Sequence, residues 1–73
     1  MSEEHEIAVR GDMIRLGQLL KVAGLVDAGG EVKGYLAAHT VLVNGEPDNR
    51  RGRQLHPGDE VAIGARTLRL TRE

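Results

Sequence analysis

Cysteine is absent from this sequence, and so are phenylalanine and tryptophan. Without cysteine the chain can be stapled neither by disulfides nor by a thiolate-bound zinc. With Tyr35 as its single aromatic residue, it cannot offer the row of exposed rings that stacks successive unpaired bases. No apolar run approaches the roughly 20 residues that a membrane helix needs, and the first residues lack the basic-then-apolar order of a signal peptide. Charge of one sign is lacking too: ten Lys and Arg stand against eleven Asp and Glu, a net charge of −1. Seventy-three residues make one small domain whose stability must come from packed Leu, Val and Ile, each worth roughly 1.5–3 kcal/mol when fully buried. A cytoplasmic location is the expectation.

Catalytic chemistry is also thin. Thr40, Thr67, Thr71, Ser2 and the Tyr35 phenol stand in no pattern with a histidine and a carboxylate. His5, His39 and His56 are too scattered for a metal-ligand motif. Neither a Walker pattern nor Gly-x-Gly-x-x-Gly occurs. The expectation is no enzyme, no cofactor and no metal.

The periodicities are clearer. Ile7 and Val9 alternate with polar residues, and residues 1–12 read as an N-terminal arm with a short edge strand, ahead of a single domain over 13–73. Leu16, Leu19, Leu20 and Ala23 form one stripe of a first helix of about ten residues, with Gly24 to stop it. It starts either near Asp12, which can serve as an N-cap, or nearer Leu16. Val32, Tyr35, Leu36 and His39 repeat the pattern in a second helix, over about Gly30 to His39, which His39 ends and which tolerates Gly34 at about 1 kcal/mol. Val41–Val43 is a strand, Asn44-Gly45 a tight turn, and Pro47-Asp48-Asn49 a second turn. His56-Pro57-Gly58-Asp59 turns again, Val61 and Ile63 alternate, and Gly64-Ala65 leads into a return strand with Leu68 and Leu70 inside. The predicted fold is α+β: two helices packed on one side of a small, mainly antiparallel sheet.

The stretch from Val41 to Arg53 organises the functional reading. It begins as a core strand and ends in Arg50, Arg51 and Arg53, three guanidinium forks that match phosphate geometry. Five arginines fall between Arg50 and Arg69, against Asp59 and Glu60. Glu3, Glu4 and Glu6 lie apart in the arm, so local charge matters more than the sum. The double glycine Gly29-Gly30 opens the second helix, flanked by Lys21 and Lys33. Such a surface suits structured RNA read by shape and phosphate position. The alternatives are a small protein-interaction module using its charged corner against an acidic partner, and, less favoured, a DNA-binding accessory.

The segments Leu16-Gly17-Gln18-Leu19-Leu20-Lys21, Gly24-Leu25-Val26, Gly29-Gly30-Glu31-x-Lys33, Val41-Leu42-Val43-Asn44-Gly45-Glu46, Arg50-Arg51-Gly52-Arg53 and Pro57-Gly58-Asp59-Glu60-Val61 together resemble the S-four-type RNA-binding domain. This module is also called the alpha-L motif and takes its name from ribosomal small-subunit protein four. The chain is similar, more narrowly, to the short stand-alone bacterial proteins of the YaaA type. The resemblance spans about residues 14 to 63. It implies a monomeric cytoplasmic module, without catalysis, that binds structured ribosomal RNA or tRNA, with ribosomal particles as a further partner. Carried over by position, it points to Gly29, Gly30, Lys33, Asn44, Arg50, Arg51 and Arg53 as the RNA face, with a weaker case for Lys21. Ala28 stands where relatives often carry a serine able to cap the second helix with Glu31 as capping-box partner, which leaves Asp27, one residue early, as the candidate cap.

Overall fold

A computed structural model describes residues 3–73 of the chain. Strand β1 (Glu3–Val9) and the short β2 (Ile14–Arg15) precede helix α1 (Leu16–Val22). A single 3-10 turn over Gly29–Glu31 leads into helix α2 (Val32–Ala38). Strands β3 (Val41–Val43), β4 (Glu46–Pro47), β5 (Gln54–Leu55), β6 (Glu60–Ile63) and β7 (Arg66–Arg72) follow. Five of the strands form one sheet in the order β1-β7-β6-β3-β4, and β2 pairs with β5 in a separate ribbon.

The sheet is mixed, which matches the expected mainly antiparallel arrangement only in part. The β3–β4, β3–β6 and β6–β7 ladders are antiparallel, but β1 runs parallel to β7 from Glu3 opposite Arg66 to Val9 opposite Arg72. The alternation of Ile7 and Val9 marked only the end of β1. Glu3, Glu4 and Glu6, expected in an arm, lie in the strand itself. They form ladder hydrogen bonds as any residue can, and charge is well tolerated on an edge strand. Ser2 lies outside the described residues.

The core follows from register. Val41, Val43, Val61, Ile63, Leu68 and Leu70 alternate with exposed or half-buried neighbours and share one face of the sheet. Leu16, Leu19 and Leu20 of α1 and Val32 and Leu36 of α2 join the same cluster. Helix α1 begins at Leu16, where the N–H of Arg15 donates to Gln18 Oε1 at 3.0 Å, and so Asp12 is no cap. Its side chain meets Arg72 instead. Gly24 takes φ +77 after the helix, the left-handed conformation that ends it. In α2, His39 is the C-cap and its imidazole stacks on Tyr35 with ring centroids 4.2 Å apart. No helix among the described residues is long and apolar enough to cross a membrane.

Candidate nucleic-acid interface

The basic corner is bolted to the first helix through its backbone. Gly17 N–H donates to the Arg51 carbonyl and Leu16 N–H to the Arg53 carbonyl, both at 2.9 Å. An α-helix leaves its first N–H groups without internal partners, and here the arginine loop supplies two acceptors for them. Next to these bonds, Arg15 pairs with Gln54 and Ile14 with Leu55 in the β2–β5 ribbon. Leu55 is fully buried, so the strand that leaves the loop is anchored in the core. Gly17 permits the close approach: a Cβ there would lie 3.4 Å from both the Arg51 carbonyl oxygen and a Val32 methyl.

Within the loop, Asp48 organises two of the three arginines. Its carboxylate accepts from Arg50 Nε at 3.1 Å and Nη2 at 2.8 Å, from the Arg50 N–H at 3.0 Å, and from Arg53 Nη1 at 3.3 Å. The Asp48 side chain is only 9% exposed. Hydrogen bonds from the Arg50 side chain and backbone hold its carboxyl well below the usual carboxylate range, against the opposing effect of burial. The Arg50 guanidinium is correspondingly more basic than an isolated one. A β-turn closes with Arg53 N–H donating to the Arg50 carbonyl at 3.0 Å, leaving Arg51 and Gly52 at its tip.

Ion pairing sorts the remaining cations. Arg66 meets Glu3, Arg69 lies between Glu4 and Glu60, Arg72 meets Asp12 and Arg10 meets Glu73. The arginines from Arg50 to Arg69 therefore do not make one patch. Those of β7 are matched by carboxylates of β1 and β6, in exposed pairs worth about 0–1 kcal/mol each. Among the described residues, Arg15, Lys21, Lys33 and Arg51 meet no carboxylate, and all four are exposed.

These four cations converge. Arg15, Lys21 and Arg51 line one groove with Gly17, Gln18, Gly29, Val32 and Gly52. Lys33 and Arg51 line an adjoining one with Leu36, Ala37 and Asn49. Arg51 is the shared wall.

Of the residues expected at the site, Lys21, Gly29, Lys33 and Arg51 are thus brought together, while Arg50 and Arg53 border the far side of the loop with His56 and Asp59. Gly30 lies in the 3-10 turn beside Gly29, in open space. No side chain caps that turn; the Glu31 carboxylate instead accepts from the Asp27 N–H at 3.3 Å. Asn44 sits elsewhere, with φ 51 in the β3–β4 turn. Its amide donates to Asp59 and its carbonyl accepts from the Glu60 N–H.

Arg15 was missed from the sequence. The signal was present, since Arg15, Gln18 and Lys21 recur every three residues along one flank of the Leu16–Leu19–Leu20 stripe.

This mixed sheet, with two short helices and a basic loop docked on the first of them, has known relatives. The S4 domain model matches residues 7–71, and the chain belongs to that family. Over 57 residues, 78% of this chain and 80% of the relative, it is 54% identical to the probable ribosome maturation protein RlbA of Bacillus subtilis (strain 168). The resemblance drawn from the separate motifs is therefore a family membership.

Proposed function

We propose that this protein is a non-catalytic RNA-binding module that grips structured RNA, ribosomal RNA foremost, and serves the maturation of ribosomal particles. The observation that carries the reading is the convergence of Arg15, Lys21, Lys33 and Arg51, unmatched by any described carboxylate, on two grooves sharing one wall. In a chain of net charge −1, cations left unmatched and gathered on one surface make a local positive field. Family membership and the likeness to a protein named for ribosome maturation support the choice of RNA over an acidic protein or DNA. The glycines of the helix entrance add no side chains that would hold an RNA backbone away, and Arg50 and Arg53 contribute from the rim. The module acts as a monomer in the cytoplasm.

The test is a fluorescence-anisotropy titration against a labelled ribosomal RNA hairpin at increasing salt. With about four phosphate contacts, log affinity falls against log salt with a slope of about −3 to −4. A flat salt response, or recovery of an acidic protein without RNA after crosslinking in cells, would falsify the reading.

A further inference from the structure

The two grooves differ in a way that bears on what kind of RNA fits. The one between α1, the 3-10 turn and the tip of the arginine loop is a solvent-open groove with a volume of about 570 Å³. Three glycines, Gly17, Gly29 and Gly52, and the buried Val32 are among its lining residues. At Gly29 and Gly52 an added Cβ would meet nothing within 4 Å. Neither glycine has positive φ, so the fold itself does not require glycine at either position. Their effect is to leave room. Around that room stand Arg15, Lys21 and Arg51, together with Gln18, whose carbonyl oxygen is occupied by the Arg15 N–H and whose amide N–H groups remain free to donate.

Resting on the RNA-binding reading, we propose that this groove takes a single unpaired nucleotide of the bound RNA, such as a bulged residue. The phosphates on either side of that nucleotide lie on Arg15, Lys21 and Arg51, the base enters the space left by the glycines, and the Gln18 amide donates to an acceptor on the base edge. A smooth duplex presents its phosphates from a stiff cylinder and has nothing to insert into a cleft, whereas an unstacked nucleotide offers both a charge and a compact body. The chemistry fits without aromatic residues, because a guanidinium plane can also pack against a base.

The experiment compares two RNA hairpins of equal length and charge, one fully paired and one carrying a single bulged nucleotide. One neutral hydrogen bond gained by the bulge corresponds to about threefold to tenfold in affinity, so the bulged hairpin is expected to bind about threefold to tenfold tighter. In Gly29→Leu and Gly52→Leu, checked for folding by circular dichroism, the preference falls towards one, because a side chain fills the groove while every cation stays. Equal affinity of the natural protein for the two hairpins overturns the inference and leaves the RNA-binding reading standing. So does a preference that survives in both filled variants. Binding to neither hairpin at low salt removes both.

Discussion

Asp48 and Arg50 form a two-pronged ion pair, Nε to Oδ1 at 3.1 Å and Nη2 to Oδ2 at 2.8 Å, across a single intervening residue. The same carboxylate also holds Arg53. One acidic residue thus sets the shape of the basic corner and takes up part of its charge.

Removing that carboxylate should have opposite effects on stability and binding. Asp48 ionises far more readily in the folded protein than the ordinary value of 3.8. A lowered folded-state value means that its stabilising contribution is complete above the unfolded value and is lost as pH falls below it. Asp48→Asn should therefore lower the melting temperature at neutral pH and flatten the acid side of the melting profile between about pH 2 and 4. The same change removes a negative charge from the corner, and RNA affinity at low salt should rise by about twofold to tenfold. Thermal melts across pH and a binding titration read the two effects separately.

The arginines of the loop should not be equivalent. Arg51 meets no carboxylate among the described residues and lines both grooves, while Arg50 is held by Asp48. Arg51→Ala is expected to weaken RNA binding by about tenfold and to reduce the salt slope by about 1. Arg50→Ala should weaken it less. Equal losses for the two variants would show that the Asp48 pair opens on binding.

Two glycines should respond to alanine with opposite signs. Gly24 adopts φ +77, where an L-residue is strained, and Gly24→Ala should cost about 1–2 kcal/mol. Gly34 is inside α2 with ordinary helical backbone and open space around its missing Cβ. Gly34→Ala should gain about 0.4–1 kcal/mol. Urea unfolding curves of the two variants measure both values.

Leu55 links the corner to the core, being fully buried in a two-residue strand that directly follows the loop. Leu55→Ala should cost about 2–5 kcal/mol. That is a large share of the roughly 4–11 kcal/mol expected of a domain this size. Amide hydrogen exchange at Leu16 and Gly17, whose N–H groups donate to the loop, should accelerate along with the fall in melting temperature.

Much of this was legible because the signals were local. Helix stripes at Leu16–Leu20 and Val32–Leu36, the stop at Gly24, the Asn44-Gly45 turn and the alternation of Val61, Ile63, Leu68 and Leu70 all appear where the spacing places them. What escaped was non-local. The parallel partner of β1 is β7, at the other end of the described residues, and no short-range pattern encodes that pairing. The division of the arginines was hidden for the same reason: Arg69 looks like part of a basic run until Glu4 and Glu60 are seen on either side of it. Asp48 sat beside Arg50 in plain view, yet whether it paired with the arginines or faced solvent depended on the turn between them.

The parallel pairing of β1 with β7 also sets an order of events during synthesis. β1 is made well before its partner β7, which joins the sheet from far along the chain. Contacts so distant along the chain form late and slow folding. Until then β1 waits as an open edge on a nascent chain, where a bare strand invites wrong pairing. Glu3, Glu4 and Glu6 repel like strands from neighbouring chains during that interval. Once β7 arrives with Arg66 and Arg69, Glu3 and Glu4 mark the correct partner.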